Sequence, residues 1–278
     1  MPAKMFPDGL EPTDPEALIW RFMDLRKFRD LIATSELYFR RADLFDDDDE
    51  GLPPEEYLPY AGLNPRDIHD ALQLNHFRGS LAQDREAFFV SCWCLSPEPT
   101  TKMWEQYAKG GLAVGSRYSL LKRAMGSCEC TLGAFLGLVR YGSQHLTGWN
   151  ALRFISTKRE KFAYEQEIRA LLWVPDEFAG NNRHLDENNI PHDRPLTAPP
   201  PDRVPEALRR AVDLRSLITE IEVSPWAPEG TFAEVQQLVR ENGYSAPVRW
   251  SVLARFRELL ATEEDLLEIL RAQVKATR

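Results

Sequence analysis

The segment "KFAYEQEIRALLWV" (161–174) carries Glu165, Glu167 and Arg169 at every second position. Read with the two-residue period of a strand, Ile168, Ala170, Leu172 and Val174 share an apolar face. Glu165, Glu167, Arg169 and Trp173 share the other. Such a strand either meets water on its charged side or floors a polar cleft. Two more polar residues interrupt segments of the same apolar kind, Arg21 in "LIWRF" and Ser91 in "FFVSCWC". A buried charge needs a partner, and Arg21 and Glu167 are candidates for one another. Carboxylates in a cleft also suit a divalent cation. Asp47 and Glu50 in the run "DDDDEG" could join Glu165 and Glu167 around Mg²⁺, as in a nuclease-like enzyme.

Other metal and cofactor chemistries find less support. The acidic run fits the first half of a calcium loop, with Asp46, Asp48, Glu50 and Gly51 in place. Tyr57 then stands where the closing bidentate Glu belongs. The five histidines have no ligand spacing. Cys92 and Cys94, like Cys128 and Cys130, leave one residue between thiols, too short for the turn that wraps zinc. Buried thiols and no resident metal are the expectation. No Gly-rich dinucleotide fingerprint, P-loop, nucleophile elbow or zinc-protease helix occurs.

The 278 residues are 43% apolar and 28% charged, enough for one substantial core. A net charge of −9 argues against general DNA binding, which needs clustered Lys and Arg. No apolar run is long enough to span a membrane. No basic start leads into an apolar core, so a cytoplasmic protein is expected.

The polar residues need strands to carry them, and the patterning places these at 18–23, 37–40, 87–94, 112–116, 135–141, 166–174, 217–223 and 247–251. Helices are expected at 25–32, over 66–86, after Pro99 with Met103, Trp104 and Tyr107 on one stripe, and at about 149–162. Residues 1–17 read as a loose arm, 175–205 as a long surface loop rich in Pro, Asn and Asp, and 254–278 as an amphipathic helix. Short helices interleaved irregularly with strands point to an α+β fold over 18–253, a single domain with a bent mixed or split β-sheet flanked by helices.

Four blocks in order, "LIWRFMD…LYFRRADLFDDDDEG", "VSCWCLSPEPTTKMWEQYAKGG", "VRYGS" and "STKREKFAYEQEIRALLW", resemble the bacterial domain-of-unknown-function family 2971. The residues that carry the resemblance are Trp20, Arg21, Phe22, Phe45, Asp47, Glu50, Gly51, Ser91, Trp104, Tyr107, Ala108, Gly111, Lys158, Tyr164, Glu165, Glu167 and Arg169. Asp46 and Phe162 depart from the family's Asn and Trp.

The block order is also similar to that of bacterial ADP-ribosyltransferases. That likeness implies an NAD-using enzyme, a toxin or phage-defence effector, with NAD as substrate. In it Glu167, Glu165 and Ser91 would be catalytic, and Arg21, Trp104, Tyr107, Tyr164 and Arg169 would bind the nucleotide. Arg21, Ser91 and Glu167 must then converge on one pocket. The alternative is a non-catalytic module that binds a nucleotide or a protein on the same scaffold. The acceptor is left open.

Overall fold

The computed structural model describes residues 4–6, 10–47, 49–52, 67–70, 72, 85–126, 134–142, 151–173, 184–185, 191–192 and 205–256. The fold is α+β, and its organising element is β3 (Phe88–Leu95), the strand of the "FFVSCWCL" run. Along one edge β3 pairs with β8 (Glu167–Trp173), antiparallel from Phe88 opposite Trp173 to Cys94 opposite Glu167. β8 in turn pairs with β5 (Ala134–Leu138).

Two strands must share the remaining edge of β3. β2 (Glu36–Arg41) takes Phe89 and Val90, and β1 (Leu18–Met23) takes Cys94 and Leu95. The sheet therefore forks at residues 91–93. One arm runs from β2 to β11 (Ala207–Ala211), the other from β1 through β4 (Leu112–Arg117) and β12 (Glu220–Val223) to β13 (Val248–Trp250). Among the described residues only β12 and β13 pair as parallel strands in this sheet, so it is mixed and split.

Parity along β3 assigns the layers. Phe89 and Trp93 join Ile19, Phe39, Ile168, Ala170 and Leu172 in the main core. Helix α1 (Leu25–Thr34) covers that side with Phe28, Leu31 and Ile32, its first turn capped by Asp24 and its last closed by Ser35 in the left-handed region. On the opposite face, Phe88 and Val90 belong to one smaller apolar cluster and Cys94 to another around Trp20 and Trp104. Cys92 falls between the two clusters. The polar site opens in that gap.

Several expectations need correction. Arm 1–17 is tied down where it is described, because Lys4 and Leu10 bridge to β5 and Phe6 is buried against Phe135. Strand β11 lies outside the expected strands, because "ALRRA" commits only Leu208 to the core and so lacks an alternating pattern. The helix expected at 149–162 is short, α4 (Ala151–Ile155), and gives way to β7 (Thr157–Lys158) beside β6 (Arg140–Tyr141), then to a 3₁₀ turn at Glu160–Glu165. Within the loop 175–205, His184–Leu185 pairs with Pro191–His192. Of the helix expected over 66–86 only 67–70, 72 and the 3₁₀ turn Arg85–Ala87 are described, and the helix expected at 254–278 begins as a 3₁₀ turn, Val252–Phe256; the rest of both, with Cys128 and Cys130, lies outside the described residues.

The apolar face of β8 is as expected: Ile168, Ala170 and Leu172 are wholly buried. Ile168→Asp would put a carboxylate without a partner into that core. This variant should lose its cooperative thermal transition by circular dichroism, whereas Leu172→Ala should stay folded at a cost of about 2–5 kcal/mol.

Candidate functional site

The floor of the site is an ion network of long-range origin. Glu167 and Arg169 stand two apart on β8, opposite Cys94 and Cys92, on the face away from the main core. The wholly buried Arg169 guanidinium grips Glu167 at both oxygens, Nε to Oε1 at 2.8 Å and Nη2 to Oε2 at 3.0 Å. Its Nη2 also donates to Glu50 Oε1, and Nη1 donates to the Ile155 carbonyl.

Glu50 arrives on a tight turn. Glu50 N donates to the Asp47 carbonyl and Arg85 to the Glu50 carbonyl, and Gly51 follows at φ 81°. Only glycine takes that backbone readily, and a Cβ there would meet Ile155 Cδ1 at 2.9 Å.

Lys158, from β7, brings the second cation. Its ammonium donates to Glu165 Oε2 at 2.6 Å and lies 3.0 Å from Glu167 Oε2 and 3.7 Å from Glu50 Oε1. Three carboxylates thus surround one ammonium, which stands where a Mg²⁺ ion among Glu50, Glu165 and Glu167 would have to sit. Asp47 turns instead to Arg159. Among the described residues no set of three ligand-type side chains is arranged to hold a metal.

Glu165 reaches the network by a different route from the one its spacing suggests. It ends the 3₁₀ turn, and Gln166, left-handed at φ 42°, redirects the chain before β8 begins. Its other oxygen accepts from the Tyr107 hydroxyl at 2.5 Å. Tyr107 comes from α2 (Thr101–Tyr107), whose first turn is capped by Thr100. Tyr141 Oη accepts from Glu167 N at 2.8 Å.

These contacts set the protonation states. Burial alone would raise the Glu167 carboxyl, but Arg169 and Lys158 outweigh it and hold it down at about 2. Burial would likewise discharge Lys158, yet Glu167 and Glu50 raise its pKa. At Glu50 burial wins over Arg169 and Lys158, and its carboxyl is raised. The Cys92 thiol meets solvent at the cleft while protein crowds its other sides. That crowding and the Glu167 charge push it well up, so it is no thiolate at neutral pH.

Above this floor lies a cleft of about 690 Å³, within the range of small-molecule sites. Trp20, Phe22, Phe45 and Phe162 line it, together with Lys27, Lys161, Asp46, Asp47 and Asp49.

The structure brings together Glu165, Glu167, Arg169 and Tyr107 from the expected set, and leaves the others elsewhere. Arg21 and Ser91 do not converge with Glu167, because each occupies the parity of the main core, Arg21 with Ile19 and Met23, Ser91 with Phe89 and Trp93. Arg21 donates to the Tyr38 carbonyl at 2.7 Å within the fork, and burial lowers its pKa to about 10. Trp104 is wholly buried in the apolar cluster beside Trp20. Tyr164 donates to Gln106 and carries Lys102 over its ring at 3.4 Å. Trp173 packs on Phe88 and Phe135, far along β8 from the cleft.

Lys158 and Glu50 both lie in the quoted blocks, and Glu50 also suits a metal, but nothing in the sequence joins either of them to Glu167 and Arg169.

Compared with family models, curated proteins and solved structures, the chain matches none.

Two stability measurements follow. Arg169→Met leaves the buried Glu50 and Glu167 carboxylates with only Lys158 as a shared cation, and should cost about 3–5 kcal/mol in urea unfolding. Glu167 is depressed from an ordinary 4.5 to about 2, so its contribution is present above pH 4.5 and lost as pH falls toward 2. That contribution is on the order of 3 kcal/mol. Over that window wild type should lose stability more steeply than Glu167→Gln; parallel profiles would contradict the assignment.

Proposed function

We propose that the cleft binds NAD⁺ with its nicotinamide ring toward the floor, and that the protein breaks the bond between nicotinamide and ribose. In this reading ADP-ribose passes to water or to an acceptor, as a toxin or phage-defence effector would require. One observation carries it. When all are ionised, Glu50, Glu165 and Glu167 exceed Lys158 and Arg169 by one negative charge, beneath aromatic walls.

A floor of that kind favours a cationic aromatic ring over a neutral one. It also favours the oxocarbenium-like ribose that forms as nicotinamide departs. Lys27 and Lys161 in the lining are suited to the pyrophosphate. Arg21, Ser91, Trp104 and Tyr164 have no part in this version of the site, while Arg169 holds Glu167 and Glu50 in place. The order of the quoted blocks supports membership of family 2971.

A second reading, a nucleotide-binding module without catalysis, is favoured by one contact pattern. Both oxygens of Glu165 and both of Glu167 already accept hydrogen bonds or ion pairs. Neither needs a substrate to be satisfied.

Calorimetry and a nicotinamide-release assay separate the two. NAD⁺ should bind at least ~10-fold more tightly than NADH, about 1.4 kcal/mol for the ring's charge. Wild type should release nicotinamide, and Glu167→Gln should release it at least ~100-fold more slowly. Charge-selective binding without release would favour the module. No preference for NAD⁺ would overturn both.

A further inference from the structure

We propose that Glu50 is the proton-exchanging carboxyl of the cleft and, building on the NAD⁺ reading above, the base that activates the attacking hydroxyl. The contact pattern singles it out. Glu165 spends one oxygen on Tyr107 and the other on Lys158, and Glu167 spends both on Arg169 with Lys158 beside Oε2. Glu50 directs only Oε1 at Arg169 and Lys158, and its Oε2 has no partner among the described residues. The side chain is 9% exposed and lines the cleft, so that oxygen is both sheltered and reachable.

Charge balance agrees. With three carboxylates over two cations, one proton brings the cluster to neutrality, and Glu50 can take it without breaking a bond to Lys158 or Arg169. The groups around it are Glu167 and Arg169 from β8, Lys158 from β7, Glu165 from the 3₁₀ turn, Cys92 from β3, Tyr107 from α2 and Arg85, which donates to the Glu50 carbonyl. Asp47, Asp49 and Arg159 also line the cleft. Burial raises the Glu50 carboxyl despite its two cations, the direction expected of the carboxyl that holds the cluster's proton most readily.

The step balances with water or an acceptor hydroxyl as co-reactant. The bond from ribose C1′ to the ring nitrogen breaks, and its electron pair leaves with neutral nicotinamide. The hydroxyl oxygen bonds to C1′, and its proton passes to Glu50 Oε2 and then to solvent. Arrival of NAD⁺ adds the positive charge that the proton had supplied, and so readies the carboxylate.

Two measurements decide the assignment. In the ligand-free protein, side-chain carboxyl ¹³C NMR of ¹³C-glutamate-labelled protein should show two resonances titrating above the ordinary carboxylate range, one of them from the buried Glu222 beside Arg249 and assigned by its loss in Glu222→Gln. The other resonance should vanish in Glu50→Gln and persist in Glu165→Gln. Its absence from wild type, or its survival in Glu50→Gln, overturns the proton site whatever the ligand is.

With NAD⁺, Glu50→Gln removes the floor's excess charge and should raise KM about 10-fold; beyond that it should lose ~100-fold or more in kcat and lose the acid limb of the pH profile, and Glu50→Asp should restore part of all three. Full activity in Glu50→Gln overturns the base role. Wild type that releases no nicotinamide removes the reaction and that role together, while the titration still decides the proton site.

Discussion

Arg169 is a guanidinium with no exposed surface, inside a β-sheet, bonded to carboxylates that reach it from two separate parts of the chain. Desolvating such a cation is costly, and only the full set of acceptors offsets it. Glu167, Glu50 and the Ile155 carbonyl supply that set. The requirement fixes the turn at 47–52 against β8 and sets Lys158 among the same carboxylates. The cleft floor is therefore the visible side of an interaction that also holds three segments together.

The fork of the sheet explains why a polar network can exist at this depth. β2 and β1 share one edge of β3 and diverge over residues 91–93, so the outer face of β3 carries two apolar clusters with Cys92 between them. An unforked sheet would bring those clusters together and close the gap. The main core on the inner face is continuous across the fork and carries most of the apolar burial, so the outer face can hold charge.

Much of this was legible in the sequence where the cause is local. The alternation of β8 gave its apolar face, and the strands β1, β3 and β4 follow from equally clean patterns. The same alternation already grouped Arg21 with Ile19 and Met23, and Ser91 with Phe89 and Trp93. What it could not say is which face opens into a cleft, because that depends on the fork. Glu165 was matched to Glu167 by period two, yet it arrives through a left-handed turn at Gln166 that no alternation announces. Glu50 lies 119 positions from Arg169, and one sequence carries no signal for such a pair. Lys158 had a readable neighbourhood but no strand pattern of its own, being half of a two-residue element.

The most direct test of the network is a double-mutant cycle on Lys158 and Glu167, measured by urea unfolding at neutral pH. Glu167→Gln should be costly in wild type and cheaper by ~2 kcal/mol in the Lys158→Met background, where the cation it serves is gone. Costs that add to within ~0.5 kcal/mol would mean that the two side chains are neighbours without being coupled, and would contradict the account.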